Sequence, residues 1–225
     1  MLKRTAVLSF LLWLMAAPLW AAEALVGLYL DDSPADAMRV VYKDAEHFRV
    51  DLLADDKVGS FILVDGKRRW LAERDYTRRL WEVFDLDMVL AVFGPEPGDK
   101  SETEGDETIV FTAVGVQTVN GFTGETYSVQ SGSGDFKLVL CEDADAVAIT
   151  RAWASVVKDL GESETAVFLN ALEYIGQQNQ AEYGLLKYDG KLILKSIRRM
   201  EYSDNYFELP RDREIIGPPG LMDED

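Results

Sequence analysis

His47 is the only histidine and Cys141 the only cysteine among 225 residues, so acid–base, nucleophilic and metal chemistry have few places to start. His47, Arg49 and Asp51 alternate with Phe48, Val50 and Leu52. A period of two puts one set on a core and the other in water, which makes His47 a solvated strand residue rather than a general base. A triad needs a Ser or Cys and an orienting acid converging on that base. No G-x-S-x-G elbow occurs. With one His and one Cys, a zinc or copper site would be mostly carboxylate, which suits neither metal. The acidic pairs Asp31-Asp32, Asp55-Asp56, Asp85-x-Asp87 and Asp143-x-Asp145 raise calcium as a reading. None sits in a loop with alternating oxygen ligands, a glycine and a closing Glu. Turn formation and helix capping account for them with less demand on geometry. Cys141 ends the apolar run Leu138-Val139-Leu140, as a buried small hydrophobe does. Glu142 and Asp143 oppose the thiolate that a reactive cysteine needs. No catalytic residue, metal ligand or cofactor is assigned.

Binding is the chemistry that remains. Phe61 to Val64 leads through Asp65-Gly66 into Lys67 to Leu71. Asp-Gly between two strand-like runs is a strong hairpin signal. Closure around Asp65-Gly66 pairs Val64 with Lys67 and Phe61 with Trp70. Phe61, Leu63, Arg68 and Trp70 then share one face, and Trp81 follows on the next strand. These five are the candidate ligand-binding set: an apolar cup with a cation at its rim. The alternatives are a packed aromatic core and an Arg68 that snorkels from a sheet edge.

The elements that position this set are mostly strands. Runs at Leu25–Leu30, Met38–Tyr42, Phe48–Leu52, Phe61–Val64, Lys67–Leu71 and Tyr76–Val83 are followed by a short helix capped by Asp85. The Pro-, Gly- and acid-rich stretch Pro95–Asp106 reads as a mobile surface loop. Strands resume at Thr108–Ala113, Val116–Val119, Thr123–Gln130 and Phe136–Cys141. The period then changes: Ala146, Ile149, Trp153, Val156 and Leu160 predict one helix, and Val167, Phe168, Ala171, Leu172 and Ile175 a second. A hairpin, Tyr183–Tyr188 and Leu192–Tyr202, closes the chain. The order predicts an α+β fold, an antiparallel sheet with helices segregated to one side.

Lys3 and Arg4, an apolar run from Ala6 to Ala17, and the small residues around Ala21 to Ala24 occur in the order of a secretory signal peptide. The run is short for a membrane span, so no transmembrane anchor is expected. The expected organisation is a signal peptide over 1–22, one domain over 23–216 and a disordered acidic tail over 217–225. The absence of an N-x-S/T sequon favours the bacterial periplasm as destination, with secretion beyond it as the alternative. The chain carries a net charge of −17, and loss of Lys3 and Arg4 makes it −19. Such a field repels nucleic acid and anionic headgroups.

Tyr42-Lys43-Asp44-Ala45-Glu46-His47-Phe48-Arg49-Val50 resembles the strand entry of LolA/LolB-like periplasmic lipoprotein-carrier domains and related secreted domains. Leu63-Val64-Asp65-Gly66-Lys67-Arg68-Arg69-Trp70-Leu71 resembles their second signature, a strand, an Asp-Gly turn and an aromatic-bearing strand. Thr118 to Phe122 with Glu125 to Val129, and Asp204 to Pro210, are similar to a later hairpin and to the closing segment. The resemblance implies a strongly curved antiparallel half-barrel with two main helices on its concave side. It implies a non-enzymatic protein that binds a lipid or lipoprotein acyl chain there. The rival expectation is an envelope protein-interaction domain whose concave face is plugged by its own helices.

Overall fold

The computed structural model describes residues 22–31, 36–93, 109–132, 134–158, 163–189 and 191–217. The expected signal peptide up to residue 21, the loop Pro95–Asp106, Leu160 of the first long helix and the tail beyond Gly217 lie outside the described residues.

Alternating side chains and tight acidic or glycine turns make the first half a meander. Strands β1 (Ala22–Asp31), β2 (Asp36–Asp44), β3 (His47–Ala54), β4 (Lys57–Asp65), β5 (Arg68–Asp75) and β6 (Leu80–Asp85) lead into helix α1 (Leu86–Phe93). A second meander follows: β7 (Val110–Val119), β8 (Phe122–Ser131) and β9 (Gly134–Cys141), then α2 (Ala144–Val157) and α3 (Ser163–Asn179), then β10 (Gly184–Tyr188) and β11 (Leu192–Tyr202). A 3-10 turn (Asp204–Phe207) and β12 (Arg213–Ile216) complete the described chain. The fold is α+β. All strands belong to one 12-stranded sheet in the order β12-β6-β5-β4-β3-β2-β1-β11-β10-β9-β8-β7. Neighbours are antiparallel except β12, which lies parallel to β6. The two meanders are joined by β1 and β11, paired from Ala22 with Tyr202 to Asp31 with Leu192.

The sheet is curved and not closed; β12 and β7 are its edges. Curling is visible at the tip of the β7–β8 hairpin. Asn120 Nδ2 donates to the Leu194 carbonyl of β11 at 2.8 Å, although β9 and β10 stand between β11 and β8. Helices α2 and α3 cover the concave side. Glycines let α2 settle onto it: a Cβ at Gly184 of β10 would stand 2.5 Å from the Ala146 carbonyl carbon, and one at Gly27 of β1 would stand 2.5 Å from Ile149 Cγ2.

Local chemistry explains the joints. Asp55 with Asp56, and Asn120 with Gly121, adopt positive φ in succession. Paired positive dihedrals of this kind are what type I′ turns require. Asp143 caps α2 by accepting from the amides of Asp145 and Ala146, both at 3.1 Å. Asp85 caps α1 through the Met88 amide at 3.1 Å.

Several expectations are corrected. The β4–β5 loop is Gly66-Lys67, with Asp65 still paired to Arg68; Leu63 therefore faces Trp70 and Phe61 faces Ala72. Only Gly66 has positive φ there. That is the demand of a two-residue turn with glycine at its first central position. The register moves by two residues, so parity is kept and Phe61, Leu63, Arg68 and Trp70 still share a face. Residues 76–79 are a turn rather than strand, because the Asp75 carboxylate accepts from the amides of Thr77 (2.7 Å) and Arg78 (2.9 Å). Thr108–Ala113 and Val116–Val119 are not two strands: β7 is continuous, with a bulge at Val114 between Ala113 and Gly115.

The largest correction concerns β3. Alternation places Arg49 and Asp51 in water, yet they are 9 % and 0 % exposed, while Leu52 is 45 % exposed. The sheet is covered on both sides. The main core lies on the helix side and includes Tyr29, Val50, Ile62, Leu140, Trp153 and Phe168. A second core on the opposite side includes Val26, Val41, Phe61, Leu63, Val83 and Phe207. Its cover is the end of β11 and the segment after it, which bring in Phe207 and, at the rim, Tyr202, Tyr206 and Leu209.

Candidate functional site

The five candidate binding residues fall on the side of the sheet away from α2 and α3. Alternation brings them together; it does not say which side the helices take. Ile62 and Val64 face the helix-side core, whereas Phe61 and Leu63, at 0 % and 1 % exposed, face the second one. Trp70 and Trp81 are half-buried at its rim, and Arg68 is exposed. The Trp81 ring meets Phe61 edge-on with centroids 4.9 Å apart, and Arg74 stands 5.4 Å over it.

Beside this cluster lies a charged group that alternation alone does not reveal. The Asp51 carboxylate accepts from Arg39 Nε (2.8 Å), Arg49 Nε (2.6 Å) and the Tyr206 hydroxyl (2.5 Å). The Arg49 guanidinium lies 3.6 Å from the Phe61 ring centre and 4.6 Å from that of Tyr206. It is a cation stacked against two aromatic faces. Burial, then the charge of Asp51, pushes the Tyr206 hydroxyl pKa well up, so it stays a donor. Two cations and a hydroxyl compensate the charge of this buried carboxylate and fix its orientation. Its consequence is mechanical: it holds the 3-10 turn on the sheet. The rest of that strap is held by Lys43 to Asp204 (3.4 Å), Arg74 to Asp212 (2.8 Å) and Arg78 to Glu214 (2.5 Å). In sequence, Arg49 and Asp51 as i and i+2 on an apolar strand are the available signal.

The helix side carries a packed aromatic cluster. Trp153, 2 % exposed, packs with ring centroids 6.0 Å from Tyr29 and 5.8 Å from Phe168. Where β11 diverges from β10, Leu185 stays in register with Leu140 of β9 and has no partner on β11. Its amide donates to Thr150 Oγ1 at 2.8 Å and its carbonyl accepts from the Tyr29 hydroxyl at 3.1 Å. Burial raises the Tyr29 pKa to about 12. Two open grooves flank α2 on its outer side. One, about 580 Å³, runs between α2 and α3 past Val147, Ala154, Leu169 and Leu172. The other, about 680 Å³, runs toward Tyr42 and Phe48. The Arg151–Glu182 ion pair (2.5 Å) borders both.

The remaining polar candidates have structural occupations. His47 Nδ1 lies 2.8 Å from Asp44, and Cys141 is buried, which pushes its thiol pKa up. Asp87 pairs with Arg69, and Asp145 with Arg199 at 2.8 Å. Among the described residues no group of three or more His, Cys, Asp or Glu side chains is placed to hold a metal ion, and no helix is long and apolar enough to cross a membrane.

No family model and no curated protein matches the chain. The resemblance to lipoprotein-carrier domains therefore rests on the sequence segments named above. Among solved structures, an uncharacterized conserved protein from Thermus thermophilus superposes with a TM-score of 0.43 and 10 % identity, over 92 % of this chain and 98 % of that one.

Proposed function

We propose that the protein is an exported, non-enzymatic interaction protein of the cell envelope, whose concave side is plugged by its own helices. The supporting observation is the packing of Trp153 between Tyr29 and Phe168, which fills the space where an acyl chain would enter a half-barrel. Export rests on the N-terminal sequence. A cut after Ala21 is the one that leaves Ala22 to Ala24 in β1, where Ala24 is 2 % exposed; a periplasmic extract should then yield an intact mass beginning at Ala22.

A second reading, an apolar-ligand carrier, is favoured by the grooves beside α2. Their size is that of small-molecule sites. Native mass spectrometry of the purified mature protein, with titration of a fluorescent fatty acid, separates the two. The interaction reading expects no co-purifying lipid and no saturable titration. Stoichiometric lipid would overturn it in favour of the carrier.

A further inference from the structure

The two edges of the sheet differ in kind. β12 is four residues long and includes Arg213 and Glu214, as a protected edge does. β7 is ten residues long and contains no charge and no proline, in a chain that is 28 % charged. Only β8 pairs with it, so its outer row of backbone donors and acceptors has no strand partner among the described residues. Val110, Val114 and Val116 stand 49 %, 55 % and 73 % exposed. The bulge at Val114 leaves Gly115–Val119 as a short regular ladder, open from Gly115 to Thr118, because Val119 is 6 % exposed and Asn120 Nδ2 donates to the Leu194 carbonyl of β11. It also strengthens the local twist, which opposes flat stacking of many copies.

We propose that β7 is a docking edge to which an extended segment of a protein partner, with alternating apolar residues flanked by Lys or Arg, adds as a further strand. The proposal rests on the interaction-protein reading and names its surface. Main-chain hydrogen bonds supply the pairing, and Val116, the exposed valine within the regular ladder, selects an apolar side chain on its own face of the incoming strand. Charge selects the sign. Residues 109–132 contain Glu125 and no Lys or Arg. Helix α3, which reaches β7 through the Phe111–Tyr174 ring contact at 5.8 Å, has no basic residue either, and its Glu173 pairs with Lys158. The whole chain, at −17, attracts a cationic segment at long range. Two copies of the chain, each with that charge, repel at the approach that edge pairing demands, which speaks against a second copy as occupant.

The test uses a fluorescein-labelled peptide, Lys-Val-Thr-Val-Thr-Val-Lys, titrated with the mature protein and followed by anisotropy. Saturable binding is expected, weakened by salt. It should fall by about tenfold or more with Val116→Lys, persist with Val116→Thr, and vanish when alternate peptide amides are N-methylated. Val116 packs on little, so both variants should melt with the wild type. Absence of peptide binding, or binding indifferent to Val116→Lys and to N-methylation, overturns the docking edge. A concentration-dependent dimer in sedimentation that Val116→Lys abolishes also overturns it, assigning the edge to a second copy. Co-purifying lipid, by contrast, would overturn the interaction reading without moving the peptide result.

Discussion

The two covers of this sheet are built on different principles. On the concave side, regular helices bury large apolar side chains, and the gap between β10 and β11 at Leu185 is closed by neutral hydroxyls from Tyr29 and Thr150. On the other side, an irregular strap is held by one buried carboxylate and a row of surface ion pairs. Apolar packing loses free energy with the volume removed and is not screened by salt. A charged latch fails abruptly when one partner is lost, because the remaining charges stay desolvated. The strap side is therefore the cover expected to open first.

The strongest test of that contrast is truncation in each core. Trp153→Ala should cost about 3–5 kcal/mol and lower the whole unfolding transition, read by denaturant melt. Asp51→Ala removes the acceptor from Arg39, Arg49 and Tyr206 and should cost about 3 kcal/mol. Its hallmark is locality: amide exchange should rise first over Tyr202–Ile216 while α2 stays protected. Uniform loss of protection across both sides would end the distinction between the covers.

Acid should act in the same direction with smaller effect. The Asp75 carboxyl is held below its ordinary 3.8 by hydrogen bonds from Arg78, and that of Asp212 by its bond from Arg74. A depressed folded pKa adds stability above the unfolded value and loses it as pH falls through the folded one. Strap exchange should therefore rise below about pH 3.8, ahead of the helices; helices that loosen first would reverse the ranking. At the small end, His47→Ala should change stability by less than about 0.5 kcal/mol. Among the described residues the imidazole's ion-pair partners are the exposed Asp44 and Asp65. A drop of many degrees in the melting temperature would place the β2–β3 turn in the structural frame.

Much of the fold was legible in the chain because local rules and tertiary packing agree there. Alternation located most strands, the 3.6-residue period located α2 and α3, and Asp85 and Asp143 marked helix starts through their own hydrogen bonds. Asn120-Gly121 and Asp55-Asp56 became turns for reasons contained in a few residues. The candidate set was legible as a group for the same reason: period two keeps Phe61, Leu63 and Trp70 together whatever the register, provided it slips by an even number.

What alternation cannot specify is which side of a two-sided sheet receives which cover. β3 reads as half apolar and half charged, and water is the default partner for the charged half. Only the return of Tyr206 and Phe207, far later in the chain, supplies another partner and buries Arg49 and Asp51. β12 is likewise invisible locally: four residues, two of them charged, become a strand because β6 offers an open edge beside them. The sequence by itself determined periods, turns and caps, each a matter of neighbours within a turn or a hairpin. The tertiary structure decided the sides, the latch and the two unlike edges, because these depend on contacts whose partners are distant in the chain.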